Sequence, residues 1–166
     1  MMDRVLSWSF ALGLAAFLLF MSFQKFFGLD PNPVFGLIEA RSGIALVDPW
    51  LRWLTGLLEL AAAGLVLWPV TRQRGAMLAA VVAIGAIGFH LSPWLGWQVP
   101  LPEQASAALA AGATPEQMAN LPTDQGAMFL LALVIGALAL ASYFVEQNLA
   151  RQKAKKDHSP AMGALA

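Results

Sequence analysis

Four side chains that could do chemistry stand in otherwise apolar parts of this sequence. Glu59 lies near the middle of LRWLTGLLELAAAGLVLWP, residues 51–69, and Arg52 shares its helical face at a spacing of seven. Lys25 ends an earlier apolar run, and His90 lies towards the end of a later one. A carboxylate or an imidazole in such surroundings can exchange protons or hydrogen-bond a polar ligand. An unpaired charge inside a membrane costs about 2–3 kcal/mol or more, so we expect Glu59 to have a partner.

We therefore predict a polar ligand-binding pocket that opens towards one end of the apolar segments. Its candidate residues are the four above, a neighbouring amide and two tryptophans that could cover a ring: Glu59, His90, Lys25, Arg52, Gln24, Trp53 and Trp94. Each charged member also has a structural interpretation. Lys25 could be an interfacial anchor, Arg52 an interfacial cation or a partner of Asp48, His90 a core histidine, and Glu59 a packing device.

Other kinds of site are disfavoured by the residue types present. The chain contains no cysteine, which excludes disulfides, thiolate metal sites and cysteine nucleophiles. A haem or zinc site would need His158 from the far end of the chain as a second histidine ligand beside His90. No phosphate-binding loop, HExxH or GxSxG motif is present. We predict no metal site, no haem and no nucleic-acid partner.

The elements that position these residues are four long apolar runs. The chain is 58% hydrophobic and only 12% charged, whereas soluble domains have about 25% charged residues, so the composition predicts a membrane protein. Runs of about 20 apolar residues match the thickness of a bilayer. A signal peptide is an alternative for the first run, but no A-x-A-like site follows it. We predict an all-α, four-helix membrane bundle formed by one domain, 1–150, with spans at about 5–27, 50–69, 76–97 and 127–146.

The two long connections carry signals for short extra helices. Asn32-Pro33 predicts a helix start before residues 34–40, and Asp48-Pro49 predicts the start of the second span. In the second connection, residues 103–111 could form a helix. Thr114-Pro115-Glu116-Gln117 reads as a capping box. The last stretch, 151–166, is basic and then weakly patterned, which predicts a disordered tail.

The distribution of lysine and arginine predicts the orientation. Four spans place both termini on one side, together with the turn between spans two and three. Seven basic residues fall on that side: Arg4, Arg72, Arg74, Arg151, Lys153, Lys155 and Lys156. The opposite side has three basic residues that are offset by acids. The positive-inside rule therefore predicts that both termini are cytoplasmic in a bacterial-type inner membrane.

Three segments give the chain a resemblance to a known family: FLLFMSFQKFFG (17–28), TGLLELAAAGLVLWP (55–69) and RGAMLAAVVAIGAIGFHL (74–91). A lysine near the end of span one, a glutamate before a Gly-rich apolar run in span two, and a histidine in span three are similar to the pattern of the DoxX family and its wider DoxX-like superfamily. The matching residues are Lys25, Glu59 with Gly64, and His90. The resemblance covers about residues 5–97, and the two long connections depart from the compact family pattern.

The resemblance implies a small four-helix membrane protein with a link to redox chemistry, since some members are subunits or partners of oxidoreductases. It is compatible with three functions. The first is a redox-linked subunit whose pocket binds a quinone-like or small polar ligand. The second is a non-catalytic scaffold that holds other membrane or periplasmic redox proteins, and the third is a small-solute transporter. Whether the chain is itself an enzyme or only an accessory subunit stays open at this point.

Overall fold

Helices account for the regular structure of the chain, as predicted. The computed structural model describes residues 2–158, and within this range the only β-type pairing is one isolated bridge between Pro100 and Thr123. The helices are α1 (Met2–Phe27), α2 (Phe35–Ser42), α3 (Arg52–Leu67), α4 (Arg72–His90), α5 (Pro102–Ala110), α6 (Pro115–Met118) and α7 (Ala127–His158). A π-helical turn, Val47–Leu51, leads into α3.

Four of these helices are long and apolar enough to cross a membrane: α1, α4, α7, and α3 together with its π-helical turn. They form a ring in which α1 packs against α3 and α7, and α4 packs against the same two helices. Successive long helices run in opposite directions. One end of the bundle, here the cap end, carries α2, α5 and α6. The other, the terminal end, carries the start of α1, the turn between α3 and α4, and the end of α7.

The centre of the bundle is built mainly from small side chains and leucines. Leu14 and Leu18 of α1 meet the buried Ala62 and Ala63 of α3 in one cluster, to which alanines of α4 and α7 also belong. Alanines at helix interfaces let the backbones approach closely, which is how membrane helices gain packing contacts without a hydrophobic driving force. A second cluster at the cap end joins α2 to the turn before α3, to the loop after α4 and to Met118 of α6.

The short helices of the cap end begin where the sequence predicts. The side-chain oxygen of Asn32 accepts hydrogen bonds from the backbone N–H groups of Val34 and Phe35, both at 3.1 Å. Gly43 ends α2 in the left-handed conformation, with φ of 72°. Thr114 and Gln117 form the predicted capping box at the start of α6. These signals are local, so they do not depend on the rest of the fold.

The ends of three spans differ from the prediction. The third span was expected at 76–97, but α4 begins at Arg72 and ends at His90. It ends there because the next residues, Leu91 to Ser92, precede Pro93, which cannot continue the helical hydrogen bonding. The second span includes the π-helical turn that begins at Val47. The fourth, α7, continues to His158, so residues 151–158 are helical and the prediction of disorder was wrong for them. Positions 159–166 of the expected tail lie outside the described residues.

Candidate functional site

The partner of Glu59 is Lys25. Its ammonium nitrogen Nζ lies 2.8 Å from both carboxylate oxygens, and the two side chains are only 9% and 8% exposed. A further contact of Nζ is the carbonyl oxygen of Met21 at 3.4 Å. The ring of Phe35, from α2, covers the ammonium with its centroid at 5.9 Å. Each charge of this pair is therefore compensated inside the bundle.

Small residues bring α1 and α3 close enough for this pair to form. The hydroxyl of Ser22 donates a hydrogen bond to the carbonyl oxygen of Gly56 at 3.0 Å, so the two backbones meet one turn from the ion pair. A Cβ atom at Gly56 would lie 2.9 Å from the ring of Phe26 and 3.4 Å from Cβ of Lys25. A side chain at position 56 would displace the ring of Phe26, so glycine favours the close approach of α1 to α3 at this depth.

Arg52 belongs to a second ionic cluster, at the cap end. Its Nε atom lies 2.9 Å from Oδ1 of Asp48, and Nη1 lies 3.5 Å from Oδ1 of Asp30. The first contact is a close ion pair without hydrogen-bond geometry, because neither Nε nor Oδ1 of Asp48 has a hydrogen-bond partner. The backbone N–H of Asp48 donates to Glu39 at 3.1 Å. Of the structural alternatives for Arg52, pairing with Asp48 is the one the structure contains.

His90 lies elsewhere, between α4 and α7. Its Nδ1 atom is 3.0 Å from the carbonyl oxygen of Gly96, and since a carbonyl can only accept, Nδ1 carries the proton. The imidazole ring centroid is 5.5 Å from that of Phe129. The Lys25–Glu59 pair lies between α1 and α3, and within residues 2–158 no hydrogen bond or ion pair joins His90 to Glu59 or Lys25, which were expected to meet it in one constellation. The rotation of α4 turns His90 towards α7 instead.

The loop next to His90 is organised by Asp124. Its carboxylate accepts backbone hydrogen bonds from Val99 and Gly126 at 2.9 Å and from Met128 at 2.8 Å. Burial raises the pKa of Asp124. The hydrogen bonds from Met128, Val99 and Gly126 and the nearby His90 outweigh that effect, so the pKa lies below its ordinary value. This carboxylate fastens the last loop to the start of α7.

The remaining three candidates lie on the surface. Gln24 is exposed, because the buried face of α1 runs through Ser22 and Lys25 and leaves Gln24 pointing outward. Trp53 is 39% exposed and contacts the edge of Trp50, with ring centroids 5.7 Å apart. Trp94 lines an apolar groove of about 400 Å³, here the cap groove, formed by Ile38, Ser42, Ile44, Leu46, Val47, Trp50, Leu51, Leu54, Phe89 and Trp94. Neither Gln24 nor Trp53 belongs to the Lys25–Glu59 pair or to the cap groove.

A third polar cluster, at the terminal end, was not predicted from the sequence. Arg72 donates from Nε to the carbonyl oxygen of Val66 at 2.9 Å and from Nη1 to the hydroxyl of Ser7. The Ser7 hydroxyl in turn donates to Glu146, whose Oε1 lies 3.4 Å from Nη1. The guanidinium also stacks over Trp8, 4.2 Å from the ring centroid. The sequence could have indicated this cluster through the depth of its members in the bundle, since Ser7, Arg72 and Glu146 all lie near the same end of their spans.

Comparisons with family models, with curated proteins and with solved structures found no match to this chain. The interpretation therefore depends on the geometry of the three clusters. In the first cluster the buried carboxylate of Glu59 faces a lysine, and in the second the buried Arg52 faces the carboxylates of Asp48 and Asp30. In the third cluster a buried arginine joins all four long helices. Such contacts fix how the helices pack. The cap groove differs from them, since it is open, apolar and flanked by aromatic rings.

Proposed function

We propose that this chain is a four-span membrane protein of the DoxX-like type and an accessory subunit of a redox-linked membrane complex. The observation that carries the proposal is the buried pair of Lys25 and Glu59, whose atoms lie 2.8 Å apart across α1 and α3. These are the lysine and the glutamate on which the resemblance depends. Because each satisfies the other, the pair favours a role in holding the subunit's shape over a role in turnover.

The proposed location is the cytoplasmic membrane of a bacterial-type cell, with both termini in the cytoplasm. Four long apolar helices and the excess of basic residues at the terminal end support this placement. The cap end, with its three short helices, then faces the other side of the membrane. Partners would be other membrane or periplasmic redox proteins that contact this cap.

Purification in mild detergent tests the accessory role. We expect a tagged chain to retain a membrane oxidoreductase subunit, identified by mass spectrometry. Glu59→Gln should reduce the amount of complex while the complex that does form keeps its turnover rate. If Glu59→Gln leaves assembly intact and abolishes turnover, the residue serves chemistry and the accessory role is wrong.

The cap groove supports a second candidate, a subunit that binds a quinone-like ligand. Its volume of about 400 Å³ falls in the range of small-molecule sites, and Trp50, Phe89 and Trp94 offer aromatic faces for a ring. A water-soluble short-chain quinone should quench tryptophan fluorescence, and Trp94→Leu should weaken that binding. Trp68→Leu, at the opposite end of α3, is the control and should leave the affinity unchanged. Equal effects of both substitutions would mean that the quinone only dissolves in the micelle.

A further inference from the structure

A groove at the terminal end, here the terminal groove, combines apolar and cationic side chains. It has a volume of about 370 Å³ and lies between the start of α1 and the end of α7. Leu6 of α1 forms one wall, and the rest comes from α7: Val145, Asn148, Leu149, Arg151, Gln152 and Lys155. The groove exists because α7 continues as a helix past residue 150, which holds its basic residues on a defined face.

The polarity of the groove changes along α7. Its apolar part, Val145 and Leu149 with Leu6 opposite, is followed by Arg151 and Lys155. At 1.5 Å per residue, Arg151 lies about 9 Å beyond Val145 along the axis. An apolar stretch followed within such a distance by two cations matches an acyl chain and the phosphate to which it is joined.

The charges of this groove are not cancelled by Glu146, which lies five residues before Arg151 on α7. Glu146 already accepts from Ser7 and pairs with Arg72. None of the described residues that line the groove is acidic. Within residues 2–158, neither Arg151 nor Lys155 forms an ion pair with a described side chain. The rim of the groove therefore presents two positive charges and two amides to a ligand.

We propose that the terminal groove binds one anionic phospholipid, with an acyl chain against Leu6, Val145 and Leu149 and the phosphate between Arg151 and Lys155. The inference depends on the membrane location given under the proposed function, since α1 and α7 face lipid only in that setting. A peptide is a poorer fit, because the apolar part lies on the side of the bundle that would face lipid. Basic residues just beyond a membrane helix attract anionic lipids, and here the helical face also supplies a place for the chain.

Native mass spectrometry of the detergent-solubilised protein tests the site. The protein is titrated with phosphatidylglycerol and, separately, with phosphatidylcholine of the same acyl chains. We expect one phosphatidylglycerol to be retained in preference to phosphatidylcholine. The double variant Arg151→Gln/Lys155→Gln should bind phosphatidylglycerol about thirty-fold more weakly. Both residues are exposed on α7, so circular dichroism should show unchanged helicity.

The matched control is Arg74→Gln/Lys153→Gln, which removes the same two charge types from exposed positions at the same end but outside the groove. It should retain wild-type affinity. An equal loss in both double variants would mean diffuse attraction, and the proposed site would be wrong. A second variant, Leu6→Ser, should weaken both lipids, whereas glycerol 3-phosphate, which lacks acyl chains, should not bind. Binding of glycerol 3-phosphate as strong as that of the lipid would overturn the lipid assignment.

Failure of this inference can be separated from failure of the membrane placement. Alkaline carbonate extraction of membranes reports whether the chain is integral to the bilayer. A chain that stays in the membrane but does not discriminate between the two lipids refutes the groove alone. A chain released by carbonate refutes the location on which both proposals depend.

Discussion

At the scale of single residues, we expect substitutions at Lys25 or Glu59 to reduce the free energy of unfolding more than any other substitution considered. Removing one partner leaves the other charge buried and uncompensated, which typically costs about 3–5 kcal/mol. We expect Glu59→Gln and Lys25→Met each to lower the free energy of unfolding by roughly that amount. Thermal or denaturant unfolding in detergent measures the change.

The double variant Lys25→Met/Glu59→Leu distinguishes a packing device from a functional charge pair. With both charges replaced by apolar groups of similar size, stability should return to within about 1–2 kcal/mol of the wild type, because no buried charge is left. Losses that simply add up would show that each side chain makes an independent contribution, contrary to the ion-pair interpretation.

Asp124 should make stability depend on pH. Its folded-state pKa is lowered, so the carboxylate stabilises the fold above its unfolded pKa of about 3.9. This contribution is lost as the pH falls from that value through the lower folded pKa. We expect the melting temperature of the wild type to fall more steeply than that of Asp124→Asn below about pH 4. Glu116→Gln, at an exposed carboxylate of α6, should keep the wild-type profile.

At the scale of helices, the close contact between α3 and α4 depends on Gly75. A Cβ atom there would lie 2.5 Å from the backbone nitrogen of Val66 and 2.8 Å from Cβ of Leu65. Because the obstacle is backbone, Gly75→Ala should destabilise the protein by about 1–3 kcal/mol.

Gly85 provides the matched control within the same helix. A Cβ atom at Gly85 meets nothing within 4 Å, so Gly85→Ala should be neutral or stabilising by about 0.5–1 kcal/mol. Chemical unfolding of both variants in one detergent makes the comparison. A loss of stability at Gly85 equal to that at Gly75 would contradict the steric argument.

At the scale of the whole molecule, the proposed orientation can be read directly because the chain has no cysteine of its own. Ala111 and Ala150 are exposed near the cap end and the terminal end, respectively. In intact cells, a membrane-impermeant maleimide should label Ala111→Cys and should label Ala150→Cys only after permeabilisation. The opposite pattern would reverse the proposed topology.

The helical architecture and its local details follow from the sequence. Apolar runs of about 20 residues determine which segments become long helices, because burying a helix requires a continuous apolar stretch. Asn32 and Thr114 determine where short helices start, because a cap needs only its own neighbours. The end of α4 was placed too late, at residue 97, since hydropathy continues past His90 while Pro93 ends the hydrogen bonding. The end of α7 was missed for the opposite reason, since helix-forming Ala, Lys and Gln continue it after hydropathy falls.

The need of Glu59 for a partner was also evident from the sequence, but the identity of that partner was not. Lys25 is 34 positions away, and His90 was an equally reasonable choice. The rotation of each helix about its axis decides which side chain points at which neighbour, and that rotation is fixed by long-range packing such as Gly56 against Phe26. Helix rotation likewise decides the partners of Arg72, a residue that the sequence alone assigned to a membrane surface. The sequence determines which helices form and which charges they must accommodate, and it also suggests the local pair of Arg52 and Asp48. For charges that lie on different helices, the tertiary structure alone decides how they pair.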